Sequence, residues 1–147
     1  MPELEVSGWC STPEPLTIAE LRGRVVLICA FQILCDGCVT YALPQAQRVF
    51  DAFSREDVVV LGLHTVFESH GRMGDEALRT FLRESGYSFP VAVDAPGLLW
   101  TPRTMEKLGL QGTPSLVLVD RAGRRRMQKL GHVADEVLWR EISSLLF

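Results

Sequence analysis

An α/β domain with a mixed sheet is the fold class this chain of 147 residues predicts. Val25 to Phe31 (VVLICAF) and Val58 to His64 (VVVLGLH) are short, continuous apolar runs rich in β-branched residues, which read as strands buried on both faces. Such strands belong to sheets covered by helices, and segments of helical spacing do alternate with them. The last third of the chain closes with a hairpin and a helix, which adds antiparallel strands to the parallel ones. With 47% apolar residues the chain can fill a core without disulfide staples, so residues 1–147 are expected to form a single domain.

The first buried run follows the turn-like Arg22-Gly23-Arg24. After the cysteines at 35 and 38, Val39, Leu43, Ala46, Val49, Phe50 and Phe53 recur at steps of three and four. This predicts an amphipathic helix that starts at the cysteines, bends at Pro44 and ends near Ser54. The second run gives way to a polar, glycine-punctuated stretch from Thr65 to Gly74, then a helix from about Asp75 to Glu84. Phe89 to Asp94 reads as a short third strand, and Leu98 to Leu108 as a helix broken or restarted at Pro102. Gly112-Thr113-Pro114 leads into a strand from Ser115 to Val119, a turn at Asp120-Arg121-Ala122-Gly123 and a partner strand from Arg125 to Leu130. Val137, Leu138, Ile142, Leu145 and Leu146 place a last helix within Asp135 to Phe147. Cys10 falls near an N-terminus expected to be mobile.

The formal charge is −3 and the basic residues are scattered, apart from Arg124-Arg125-Arg126, which reads as the solvated end of the hairpin. No broad basic footprint is present, so nucleic acid is not an expected partner. No apolar run has the length to span a bilayer, and Met1 to Glu5 lacks the basic-then-apolar pattern of a secretory signal. A membrane is therefore not an expected partner, and a cytoplasmic location is expected. In that setting the four cysteines point to redox or metal chemistry rather than to a secreted disulfide framework.

Cys35-Asp36-Gly37-Cys38 carries that chemistry. A thiol-disulfide catalyst needs one sulfur stabilised as a thiolate and a second close enough to close a ring with it. Where a strand ends and a helix begins, unsatisfied amides and the positive end of the helix dipole favour Cys35 as the thiolate. Cys38 lies one turn on, on the same side. Cys35 should attack and Cys38 resolve. Asp36 opposes the thiolate and Gly37 lacks the stiffness of proline, so a moderate nucleophile is expected rather than a strong oxidant. Zinc would need two more ligands, and there is no second Cys-x-x-Cys and no Cys-x-x-His. No bound cofactor or structural metal is expected. A soft ion such as Cu(I), held by the two cysteines with His64 or His70, is the reading from another class.

Two segments far apart in the chain, Leu16 to Leu27 before the cysteines and Leu108 to Pro114 leading into Ser115 to Gly123, resemble the thioredoxin superfamily. The likeness is to its redoxin branch, TlpA-like and AhpC/TSA-related. It implies a thioredoxin-like fold, a mixed central sheet flanked by helices, with a redoxin-type strand-helix insertion between Thr65 and Ala95. It also implies a cis Thr113-Pro114 bond facing the cysteines, with Thr113 offering its backbone to an extended substrate. The implied activity is disulfide exchange with a protein or small-molecule thiol or disulfide, with electrons from a thioredoxin-type donor. Two positions depart from the pattern: Leu34 stands where a tryptophan is usual, and Cys29 where many thioredoxins carry a buried acid.

Glu68 falls near a glutamate of relatives and is a candidate proton acceptor for the resolving thiol; the alternative is a solvated loop carboxylate. A thiol peroxidase using Cys35 is the competing enzyme reading, but the Pro-x-x-x-Thr-x-x-Cys pattern of peroxiredoxins meets Ile28 and Gln32 here. His64 reads as structural and His70 as exposed. Cys29 reads as a small hydrophobe, and Trp9, Trp100 and Trp139 read first as packing residues, with Trp100 the best placed of the three to border the site.

Overall fold

Six strands and four α-helices run through residues 1–147 of the computed structural model. The strands are β1 (Val6–Cys10), β2 (Val25–Phe31), β3 (Val58–His64), β4 (Val91–Asp94), β5 (Ser115–Val119) and β6 (Arg125–Leu130). The helices are α1 (Leu43–Ala52), α2 (Asp75–Ser85), α3 (Arg103–Leu108) and α4 (Asp135–Leu145). One sheet takes all the strands in the order β1-β4-β3-β2-β5-β6. The two apolar runs form its centre, paired in parallel from Val25 opposite Val58 to Phe31 opposite His64, and every residue of both is buried. β4 extends the parallel part, while β1, β5 and β6 are antiparallel to their neighbours.

Because successive side chains of a strand point to opposite faces, β2 and β3 feed two cores. Leu27, Cys29, Phe31, Val58 and Val60 pack under α1, α2 and α4, through Leu43, Val49, Leu78, Leu138 and Ile142. Val26, Ile28, Val59, Leu61 and Leu63 pack on the other face against Met105 and Leu108 of α3 and against Ile18 and Leu21. Gly62 faces the first core, where a Cβ would meet Phe31, Phe89 and Val91 at 3.1 Å, so the close approach of those rings needs glycine there.

The departures from expectation have local causes. Cys10 is not in a mobile terminus but in β1, a half-buried edge strand hydrogen-bonded to β4 with a bulge between Val6 and Gly8. A short edge strand containing glycine carries no apolar periodicity, and only its partner reveals it. β4 begins at Val91, after the proline that has no N–H to give the ladder. The region from 98 to 101 is not helical, since α3 begins only after Pro102, which is extended (φ −61°, ψ 156°). The helix entered at Asp36 widens into a π turn over Cys38–Ala42 directly before Pro44, relieving the clash its ring would cause with a carbonyl one turn earlier. Thr65 to Ala95 does contain an added helix and strand, α2 and β4.

Asp94, at the end of β4, sets the start of α3. Its carboxylate accepts the backbone N–H groups of Thr104 (2.8 Å) and Met105 (3.0 Å) and the hydroxyl of Thr65 (2.9 Å). These bonds satisfy two of the open amides of the helix. Asp94→Ala is expected to lower stability by about 2 kcal/mol, because the cap is lost and the Thr65 hydroxyl is stranded in a buried place; the urea midpoint measures it, and an unchanged midpoint would contradict the capping role.

Candidate active site

The chain leaves β2 at Phe31, turns so that the Cys35 N–H donates to the Gln32 carbonyl (3.1 Å), and enters the helix at Asp36. Cys35 is thus the residue that caps the helix. Its carbonyl accepts the N–H of Val39 at 3.0 Å, and its sulfur accepts the N–H of Cys38 at 3.4 Å, where a serine or aspartate oxygen commonly sits. The same sulfur is 3.6 Å from the carbonyl oxygen of Thr113, to which its proton is donated. Cys35 is half-buried and both cysteines are free thiols.

Cys38 is fully buried. Desolvation pushes its thiol well above the usual range, and the neighbouring Cys35 thiol adds to the rise; the backbone of Gln32 and the hydroxyl of Thr113 act in the opposite direction. Cys29, in the middle of β2 beneath the pair, is pushed up to about 12, first by burial and then by the charge of Cys35. It packs as a small apolar side chain.

The Thr113–Pro114 peptide bond is cis. The Pro114 ring closes on Gly37, where a Cβ would lie 3.3 Å from its Cδ. Between this loop and the cysteine turn lies Gln32, known from the sequence only as the residue at the threonine position of the peroxiredoxin pattern. It is 1% exposed, and its Nε2 donates to Thr113 Oγ1 (3.2 Å) and to Glu68 Oε1 (3.3 Å), while its Oε1 accepts the Phe67 N–H (3.2 Å). One buried amide thereby ties the cysteine turn, the proline loop and the segment after β3. Glu68 is exposed and meets the site through Gln32; the groups acting directly on the Cys38 thiol are Cys35, Gln32 and Thr113.

His64, His70 and Trp100 come together elsewhere. His64 stacks on Phe31 with ring centroids 5.1 Å apart, the His70 and Trp100 rings are 6.3 Å apart, and all three line a cavity that neither Cys35 nor Cys38 lines. Trp9 packs against one core and Trp139 against the other.

A half-buried sulfur capping a helix beside a cis proline, on a sheet of this order, defines a dithiol protein of thioredoxin-like fold. The chain belongs to the thioredoxin-like superfamily. A crystal structure described as a thioredoxin-like superfamily protein is 48% identical, with 99% of this chain and 94% of that one aligned at a TM-score of 0.97. A thiol-disulfide isomerase from Corynebacterium glutamicum is 46% identical over 99% of this chain and 94% of its own, at a TM-score of 0.94. Protein DipZ of Mycobacterium bovis and of Mycobacterium tuberculosis is 28% identical over 133 residues, 88% of this chain. The chain spans 18% of the length of those two relatives. No family model matches the chain.

Gln32→Leu keeps the bulk but strands the Phe67 N–H and the Thr113 hydroxyl, and is expected to cost about 2 kcal/mol in urea unfolding; Glu68→Ala, at an exposed site, should cost no more than about 0.5 kcal/mol. Equal losses would contradict the central place given to Gln32. Burial lowers His64 from 6.5 to about 4, so between those pH values the unfolded chain takes a proton that the folded one refuses. Stability should therefore fall as pH drops through this window, by about 3 kcal/mol at its lower end, and His64→Phe should flatten that part of the stability-pH curve.

Proposed function

We propose that the chain is a thiol-disulfide oxidoreductase in which Cys35 is the attacking and Cys38 the resolving thiol. The observation that carries this reading is the Cys35 sulfur at the helix start, accepting the Cys38 amide at 3.4 Å and lying 3.6 Å from the Thr113 carbonyl. The thiol-disulfide isomerase at 46% identity supports it.

Reduction of a substrate begins when the Cys35 thiolate attacks one sulfur of a disulfide, forming a mixed disulfide and expelling the other sulfur as a thiolate, which takes a proton. Cys38 then attacks the Cys35 sulfur. The Cys35–Cys38 bond forms, the mixed disulfide breaks, the second substrate thiol leaves, and two electrons have passed to the substrate. Run backwards, the same steps oxidise a dithiol. Cys38 must lose its proton in the second step. Once Cys35 is in the mixed disulfide, its charge and hydrogen bond no longer hold the Cys38 thiol up, while Gln32 and Thr113 still favour the thiolate. The resolving thiol is thus held back until there is something to resolve. Glu68, fixed by Gln32, is the carboxylate proposed to receive its proton.

The substrate class is a protein or small-molecule disulfide or thiol, an extended chain lying along the Thr113 backbone, and the electron donor is another dithiol. A peroxidase is less well supported, because the buried Gln32 amide stands where that chemistry uses a threonine hydroxyl to orient peroxide.

Titration in glutathione and dithiothreitol buffers, read by thiol alkylation and peptide mapping, should give a reversible Cys35–Cys38 disulfide with a midpoint in the range of about −180 to −300 mV. Cys35→Ser should abolish exchange, and Cys38→Ser should accumulate a mixed disulfide on Cys35. A Cys35 that stops at sulfenic acid, or no reversible disulfide, would overturn the reading.

A further inference from the structure

Gln32 follows the last residue of β2 and is buried, and its neighbours settle which way its amide points. A backbone N–H only donates, so the atom 3.2 Å from the Phe67 amide is the oxygen. An ionised carboxylate only accepts, so the atom 3.3 Å from Glu68 Oε1 is the nitrogen. The two assignments agree, and the nitrogen is therefore also the atom 3.2 Å from Thr113 Oγ1.

That orientation decides what the Thr113 hydroxyl can do. An amide nitrogen has no lone pair to offer, so Thr113 Oγ1 accepts from Gln32 and cannot donate back to it. Its own proton is left for another acceptor. Thr113 faces both sulfurs of the pair: its carbonyl oxygen lies 3.6 Å from Cys35 Sγ, and its hydroxyl acts on Cys38 in favour of the thiolate. The loop is held against the cysteine turn by the Pro114 ring, which packs on Gly37 between the two cysteines, where a Cβ would lie 3.3 Å from Pro114 Cδ. Cys38 is fully buried, so a donor aimed at its sulfur is worth more to the thiolate than the same hydroxyl in water.

We propose that the Gln32 side chain is a positioning residue for the resolving step: by donating to Thr113 Oγ1 it turns the threonine O–H toward the Cys38 sulfur, where it donates to the thiolate that attacks Cys35. The proposal rests on the dithiol reading and adds to it a side chain that acts through Thr113. The hydroxyl keeps its proton throughout. The proton of Cys38 passes to Glu68 as in that exchange, the Cys35–Cys38 bond forms, and the substrate sulfur departs with the electron pair of the mixed disulfide.

The test uses the full chain carrying Cys10→Ser, reduced and mixed with one equivalent of dithiobis(nitrobenzoate). Attack by Cys35 releases one coloured nitrothiobenzoate and resolution by Cys38 releases the second, at a rate independent of concentration, so the two steps are timed separately. Thr113→Val removes the donor at nearly constant shape. Losing a hydrogen bond to the charged sulfur should raise the Cys38 pKa by about one unit. A thiolate of higher pKa is also the stronger nucleophile, so the net slowing of the second release at neutral pH should be about threefold. Its rate–pH curve should also move to higher pH, whereas a merely displaced sulfur would lower the rate without moving the curve. Thr113→Ser keeps the hydroxyl and should restore both the rate and the curve. Gln32→Leu should slow the second release about threefold where the Thr113 hydroxyl is present and not at all in the Thr113→Val background, where there is nothing left to orient. Gln32→Met, of similar length, takes its place if Gln32→Leu does not fold. Equal slowing by the Gln32 substitution with and without the hydroxyl, or an unchanged second release in Thr113→Val, would overturn the proposal and leave the dithiol reading intact. A single release, with no resolution by Cys38, would overturn both.

Discussion

The parallel pairing of β2 with β3 is the constraint on which the rest of the structure depends. Both strands are buried along their whole length, so their register is fixed by two cores at once, and a slip of one residue would exchange the faces of both. That fixed register brings Phe31 and His64 side by side at one end of the sheet. The cysteine turn leaves from the first, and the segment carrying Phe67 and Glu68 from the second. Both the capped sulfur and the cavity lined by His64 are consequences of where these two strands stop.

What joins the loops at that end is a small set of buried polar groups, each used more than once. Gln32 spends its amide on three segments, and Asp94 spends its carboxylate on Thr65 and the start of α3. Asp120 does the same at the other end of the sheet, where its oxygens accept the Ala122 and Arg124 amides and the Arg126 guanidinium and hold the turn between β5 and β6. The Arg124 amide leads the contacts that keep its carboxyl below the usual range. In each case a loop that could not bury apolar surface is held by hydrogen bonds that are costly to leave unmade. Against that background His64 Nε2, buried without a hydrogen-bond partner, is the exception.

The elements that buried a continuous apolar run or an amphipathic stripe were legible in the sequence. β2, β3, β5 and β6 have the expected limits, because burial on one or both faces writes a period into the residues. β1 wrote none: with a glycine in the middle and one edge to solvent, it exists because β4 has hydrogen bonds to give. The cysteine pair was legible because its spacing is local and its chemistry demands it. Gln32 was legible only as the residue standing where peroxiredoxins carry a threonine; its tie between loops exists only once the fold brings Thr113 and Phe67 to its two ends. The cavity was not legible, since its walls come from β1, β3 and the segment after it, α2, β4 and the loop before α3, segments whose meeting no local pattern announces. Trp100, read first as a packing residue and best placed of the tryptophans to border the cysteines, is instead 75% exposed at the cavity beside His70.

The replacement of a buried acid by Cys29 has a consequence for proton movement in the proposed exchange. A thiol pushed up to about 12 stays protonated at neutral pH, so Cys29 cannot accept a proton from Cys38. In the proposed exchange that proton passes to a group other than Cys29, and its loss is favoured by Gln32 and Thr113. The Gln32 backbone acts on Cys38, and the side-chain amide of the same residue holds the exposed carboxylate of Glu68, so one residue carries both contacts. The groups that favour the Cys38 thiolate therefore belong to the cysteine turn and the proline loop at the end of the sheet, and Cys29 in its core stays a packing residue.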